Sequence, residues 1–361
     1  MRRYSIAVIP GDGIGPEVIA EGVKVLKQVG SLDGNLEFMF QEFPWGSEYY
    51  LEKGQMMPED ALETLEKYDA IYFGAVGLPE IPDWIPAHKL LYKIRRSFNQ
   101  YVNLRPVKLL KGVSCPLKKE VPIDMVFIRE NIEGEYSDMG GRHYGGTPHE
   151  LATQVNIFTR MGIERVMEYG YELAKKRRGK LTSITKSNAL MHSMVLWDKI
   201  FEEYKKRYPF IENSQILVDA MAMYMVNEPE SFDVVVASNL FGDILTDLGA
   251  ALQGGLGFAP SGNINPDKTF PSMFEPVHGS SPRDRGKNIV NPIATIWTAK
   301  LMLDHLGEEQ WGQKILDAVE DVLLEGKVRT RDIGGSSSTS DMGEAIAEKL
   351  IENTVKKRGG I

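Results

Sequence analysis

The sequence predicts an α/β protein of two domains, built around a mixed, mostly parallel sheet. Three observations predict it. Apolar runs of strand length alternate with helical stretches along the chain. The first run ends in a glycine-rich turn that opens a helix, Gly11-Asp-Gly-Ile-Gly15. The length, 361 residues, exceeds what one hydrophobic core usually serves.

In order, a buried strand covers Tyr4–Ile9 and a helix runs from Pro16 to about Val29. A second unit follows, with a strand near Leu36–Phe43, a helix near Asp60–Lys67 and a strand at Asp69–Gly74. At Asn103-Leu-Arg-Pro106 a strand leaves the first domain. The stretch Ser137–His149 is glycine-rich and polar without helical period, and reads as an arm or hairpin near 137–158 suited to clasping another subunit. Then come a helix at Arg160–Lys176, a strand at Lys180–Thr185, a helix at Leu190–Tyr208, and strands at Gln215–Asp219 and Asp233–Ala237. Gly254–Gly257 breaks the pattern before helices at Ile293–Leu306 and Gln310–Glu325, and the tail Lys356–Ile361 is expected to fray. The first domain is therefore placed at 1–100 plus 256–361, and the second, holding the arm and a dimer interface, at 101–255.

A net charge of −8 leaves no basic footprint for nucleic acid. No apolar stretch approaches the roughly 20 residues that cross a bilayer. The run Ile6–Ile9 after Arg2 and Arg3 stops at Pro10-Gly11, too soon for a signal sequence. The single cysteine, Cys115, excludes an internal disulfide and a Cys-rich zinc site, which fits the cytoplasm.

The glycine turn is not a dinucleotide fingerprint, because the third glycine comes one place early and Pro16 stands where it should be. A standard Rossmann fold is therefore not expected; the turn reads instead as the lining of a nucleotide cleft. The segment Asn239-Leu-Phe-Gly-Asp243-Ile-Leu-Thr-Asp247 follows the apolar strand Val234–Ala237 and opens a helix. Asp243 and Asp247, four apart, share a helix face and repel unless a cation sits between them. Hard oxygens of this kind suit Mg²⁺ or Mn²⁺, although a helix cap and a solvated charge would explain them too. Asp219, at the end of another apolar strand, would complete three carboxylates or simply cap a helix. Arg95, Arg105 and Arg129 offer planar forks for carboxylates, and Tyr136 and Lys186 are candidates for proton transfer.

Together these segments resemble the β-decarboxylating dehydrogenases, the isocitrate and isopropylmalate dehydrogenase family that also includes homoisocitrate and tartrate/D-malate enzymes. The resemblance spans nearly the whole chain. It rests on Gly11–Glu17, Asn103–Pro106, Arg129–Tyr136, Lys186-Ser-Asn188, Asp219–Met223, Asn239–Asp247 and Phe274-Glu-Pro-Val-His-Gly-Ser280. It implies that family's two-domain fold and a homodimer with shared active sites. Arg95, Arg105 and Arg129 would bind the substrate carboxylates. Asp243 and Asp247 would hold Mg²⁺ or Mn²⁺ with Asp219 of a neighbouring subunit, which also supplies Lys186 for the substrate hydroxyl. Tyr136 would protonate the carbon that loses CO₂. Cofactor contacts would come from Ile14, Asn188, Glu275, His278, Gly279, Ser280, Ser281, Arg283, Asp284 and Asn291.

The positions that select substrate in the family carry Lys89 and Leu91 in place of the Ser and Asn of isocitrate enzymes. The isopropyl socket is altered at His88, Tyr92 and Ala189. Both departures point to D-malate or tartrate, with 3-isopropylmalate as the alternative, and a non-catalytic nucleotide-binding subunit as the reading from another class. NAD is the expected acceptor, with NADP the alternative because Arg283 precedes Asp284, and a K⁺ requirement is left open.

Overall fold

Strand β1 (Arg2–Gly11) is buried from Ile6 to Pro10, and its neighbours β2 (Leu36–Glu42) and β3 (Ala70–Ala75) pair with it in parallel. The computed structural model describes residues 1–359. They divide into two units, one of 1–100, 109–118 and 250–361, the other of 101–108 and 119–249. In the first unit the strands run β2-β1-β3-β12-β11, where β11 is Pro260–Ile264 and β12 is Ser272–Pro276. Only β11 is antiparallel to its neighbour β12.

Both faces of this sheet are covered, which explains why its strands read as continuous apolar runs. Because side chains alternate, Ala7, Ile9, Ile71, Phe73 and Met273 face one cluster with Trp45, Met57, Leu65 and Ile94. That side is built by α2 (Ser47–Lys53), α3 (Ala61–Leu65), α4 (Trp84–Pro86) and α5 (Tyr92–Ser97), the last two joined by a π-turn at Ala87–Leu91. Against the sheet's other residues lie α1 (Gly15–Asp33) and α10 (Ile293–Leu306), where the buried Tyr72 hydroxyl donates to Thr295 O at 2.7 Å. Helices α11 (Glu309–Glu325) and α12 (Thr339–Gly359) complete that layer. Lys356 is thus helical rather than frayed, because Met342, Ile346 and Leu350 recur every fourth residue and bury the stripe that anchors α12. Residues 360 and 361 of the expected frayed tail lie outside the described part.

The second unit orders β4 (Val102–Lys108), β5 (Asp124–Glu130), β10 (Val234–Ala237), β8 (Lys180–Thr185) and β9 (Glu212–Leu217), with β4 antiparallel and the rest parallel. Helix α6 (Arg160–Lys176) packs on β5, β10 and β8, and α7 (Ser193–Arg207) joins it. The expected arm is the hairpin β6 (Gly134–His143) and β7 (Leu151–Ile157). One expectation is corrected here. Asp219 does not end a strand: β9 stops at Leu217, and Asp219 lies in the first turn of α8 (Val218–Asn227). Its short apolar run, Ile216–Val218, spans the strand-to-helix junction, so hydrophobicity alone did not locate the change of period.

Helix α9 (Asn239–Leu252) lies close against β4 and β5 because two of its residues lack side chains. A Cβ on Gly242 would come within 2.7 Å of Arg129 Cγ, and one on Gly249 within 2.6 Å of Val107 Cγ2. The strand core under it is closely packed, with Phe127 fully buried. Phe127→Ala should lower stability by about 3–5 kcal/mol in urea unfolding, and a loss under about 1 kcal/mol would show that this core does not hold the strand.

Candidate functional site

Strand register sets the arginines. Across the antiparallel β4–β5 pair, Asn103 lies opposite Arg129 and Arg105 opposite Phe127, so Arg105 and Arg129 leave the sheet on one face. Helix α9 covers that face. Arg129 is 2% exposed, and its Nη1 donates to Asp243 Oδ1 at 2.5 Å. Arg105 Nη1 lies 3.2 Å from the same oxygen and donates to Thr246 Oγ1 at 2.6 Å. Tyr136, in β6, donates its hydroxyl to Asp243 Oδ2 at 2.8 Å, and the Arg129 guanidinium lies 5.3 Å from its ring centre. One carboxylate thus gathers two guanidiniums and a phenol.

Asp247 differs. Among the described residues it has no hydrogen-bond or ion-pair partner. Its side chain is exposed at the helix surface, yet partial desolvation by the surrounding protein raises its pKa, Arg105 and Arg129 oppose the rise, and the neighbouring Asp243 adds to it. An unpartnered carboxylate one helical turn from another is a hard-oxygen pair that a divalent cation would satisfy. The residues therefore fit such an ion. Among the described residues no three carboxylate, imidazole or thiol groups of the one chain gather around a metal position. Asp219 instead bonds Lys186 Nζ at 2.7 Å, and this bond holds its carboxyl below the usual range. Asn188 is exposed on the loop that follows Lys186.

In the first unit, Arg95 is buried and its Nη2 donates to Glu275 Oε1 at 2.6 Å. The glycine turn meets a second loop there: Ile14 N donates to Ser280 O at 2.8 Å, and a Cβ on Gly13 would sit 1.9 Å from that oxygen. Ile14, His278, Ser281, Asp284 and Asn291 line a cavity of about 400 Å³. Gly279, Ser280 and Arg283 lie on the same loop without lining it, and Glu275 lies on β12. Ser281 donates to Asp284 Oδ2 at 2.8 Å. The His278 Nε2 atom is buried with no hydrogen-bond partner, and burial lowers the ring's pKa. A recess of this size with an unsatisfied nitrogen fits an adenosine group.

Several residues that build these places escaped the sequence reading. Asp12 accepts from the backbone N–H of Ser47 at 2.9 Å and of Gly77 at 2.8 Å, tying the glycine turn to two loops. Glu17 accepts from the Gly286 and Asn288 amides. Gly257, Arg331 and Asp332 line the cavity from distant parts of the chain. Asn239 and Thr246 bond the arginines directly. The motif glycines and acids were the available signal, since Asp12 and Glu17 stand inside Gly11–Glu17.

A family model described as isocitrate/isopropylmalate dehydrogenase matches residues 5–346. The chain belongs to this family. A probable tartrate dehydrogenase/decarboxylase of Bacillus subtilis (strain 168) is 51% identical over 351 residues, covering 97% of this chain and 99% of the relative. A decarboxylating D-malate dehydrogenase of Escherichia coli (strain K12) is 50% identical, covering 97% and 99%. The crystal structure of isocitrate dehydrogenase from Methylococcus capsulatus superposes with a TM-score of 0.85 at 33% identity, covering 96% and 99%. Membership bears out the mixed, mostly parallel α/β fold expected from the sequence. No described helix is long and apolar enough to cross a membrane.

Glu130, next to Arg129 but on the opposite face of β5, is buried and its pKa is pushed up to about 7 by that burial. A carboxyl raised in the folded state favours the protonated form, so its contribution is complete below about 4.5 and is lost as pH rises through about 7. Glu130→Gln should therefore gain stability relative to the native chain between pH 5 and pH 8 in urea unfolding, and a pH-independent difference would sink this assignment.

Proposed function

We propose that this chain catalyses the metal-dependent oxidative decarboxylation of a 2-hydroxydicarboxylate, D-malate or tartrate, with NAD as hydride acceptor. The observation that carries the reading is the α9 face, where bare Asp247 stands beside an Asp243 braced by Arg129, Arg105 and Tyr136. Relatives near 50% identity over almost the whole chain are named for tartrate and D-malate, which supports the substrate class. His88 and Tyr92, in edge-to-face contact with ring centres 5.0 Å apart, make a polar aromatic pair at the positions where isopropylmalate enzymes have an apolar socket.

Asp243 and Asp247 would hold the cation, Mg²⁺ or Mn²⁺, with Asp219 contributed by a second copy. A bound cation would supply Lewis-acid polarisation of the substrate oxygens, and a nicotinamide would supply the hydride acceptor. Arg105 and Arg129 present paired donors to the substrate carboxylates, and Arg95 is the remaining arginine that the family pattern assigns to substrate. Lys186, released from Asp219 as a neutral amine, would take up the hydroxyl proton, and Tyr136 would pass a proton to the carbon from which CO₂ departs. Asn188 would lie against the nicotinamide, and His278 with its loop against the adenosine. Asp284, rather than Arg283, lines that cavity, which supports NAD over NADP because a carboxylate accepts from ribose hydroxyls and repels a phosphate.

A homodimer accords with the surface of α8. Asp219, Met223 and Val226 fall on one helical stripe, and Met223 is 51% and Val226 43% exposed. Ile244, beside Asp243 on α9, is 59% exposed. A reducing cytoplasm suits the free Cys115 thiol.

The purified chain should form NADH with D-malate or tartrate and Mn²⁺, lose that activity to EDTA, and show a lower kcat/KM for 3-isopropylmalate. A higher value for 3-isopropylmalate overturns the substrate choice, and silence with all three overturns the reaction. Tyr136→Phe should lower kcat by about 10²–10⁴-fold with KM little changed, as expected for a lost proton donor, and near-native kcat would remove Tyr136 from that role.

A further inference from the structure

Arg129 is held more completely than an ion pair with Asp243 requires. Its Nε donates to Asn239 O at 2.9 Å and lies 3.1 Å from Asn239 Oδ1, and its Nη2 donates to the same Oδ1 at 2.7 Å. Asn239 is itself fixed, 2% exposed, with its Nδ2 donating to Glu133 O at 3.1 Å. The arginine stem crosses α9 where Gly242 leaves room for it. A guanidinium has five donors in one plane, so fixing Nε and Nη2 from one side fixes the direction of Nη1. Thr246, two turns along α9, treats Arg105 similarly: its Oγ1 accepts from Arg105 Nη1 at 2.6 Å and donates to Gly242 O at 2.8 Å.

We infer that Asn239 is a positioning residue that aims the Arg129 fork. It occupies the inner edge, Nε and Nη2, with neutral acceptors. Only Nη1 is directed at Asp243, and one hydrogen on each terminal nitrogen is unengaged among the described residues. The choice of an amide matters. A carboxylate at 239 would bind the same edge more strongly but would neutralise the cation, whereas an amide oxygen orients the fork and leaves its charge for an anionic ligand. The inference rests on the proposed reading that Arg129 contacts a substrate carboxylate. It assigns specificity for the dianion to a residue that does not itself touch it.

The experiment combines binding, kinetics and an amide-independent probe on the full chain. Asn239→Ala should raise both the D-malate Kd, measured by calorimetry with Mn²⁺, and its KM by about tenfold or more, with kcat changed less than about threefold and KM for NAD within about twofold. Because Asn239 acts through Arg129, adding Asn239→Ala to Arg129→Ala should cost no further affinity beyond about twofold, whereas a general structural role would make the losses add. Asn239→Ser, which keeps a smaller acceptor, gives the same comparison should the alanine protein not fold. The Arg129 Nη2–H resonance, whose acceptor is the Asn239 side chain, should be protected from solvent exchange in the native chain and lose that protection in either variant, while Nε–H keeps the backbone Asn239 O as acceptor and stays protected. Unchanged D-malate affinity, additive losses, or equal protection in native and variant chains overturns the inference. A native chain that neither binds nor oxidises any hydroxydicarboxylate overturns the proposed function instead, and the Nη2–H exchange then decides the aiming of Arg129 by itself.

Discussion

Two carboxylates on one helix face, one neutralised and one not, are the constraint around which the second unit is arranged. Asp243 receives Arg129, Arg105 and Tyr136, while Asp247, one turn on, receives nothing from the described chain. Two like charges at this spacing weaken a helix. The chain offsets the cost at only one of them. Everything nearby serves that asymmetry: β4 and β5 deliver both arginines to one face, and Gly242 and Gly249 bring α9 down onto them. A dication at Asp247 and Asp243 would remove the remaining repulsion and release the arginine forks for an anion.

This view also explains a tension in the sequence. Three arginines and three aspartates, counted separately, repel within each set. The structure pairs most of them with opposite charges instead, Arg129 and Arg105 with Asp243, Arg95 with Glu275 and Asp219 with Lys186, and leaves Asp247 unpaired among the described residues. These charges are thus held as ion pairs, so the chain folds without leaving several like charges facing one another unpaired. Asp219, 64% exposed in its side chain on an apolar helical stripe, is the member least covered by its own chain.

Much of this was legible in the sequence where one strong period governed a segment. The helix Arg160–Lys176 and the strand Lys180–Thr185 were read with the bounds the structure has, because amphipathic and apolar runs meet sharply there. Asp243 and Asp247 were legible because their spacing is local. Asp219 was placed on the wrong element, since the apolar run Ile216–Val218 continues across the end of β9 into α8. Helices α2 and α12 were missed: the first is a single short segment, and the stripe of the second is diluted by Asp341, Glu344 and Glu348. The recess behind the glycine turn was only partly readable, because Ile14, Gly257, His278 and Asp332 converge from far apart in the chain. Asn239 and Thr246 were given no role of their own, because their bonds to arginine depend on a strand register that no local pattern specifies.

The central claim is that carboxylates of two copies share one cation, and subunit complementation tests it most directly. Asp219→Asn and Asp243→Asn chains, each inactive alone, are unfolded together and reassembled. In a mixed dimer one site then carries both defects and the other none, so random pairing should restore about a quarter of native activity. A mixture as inactive as its components, from chains that demonstrably exchange subunits, would contradict the account.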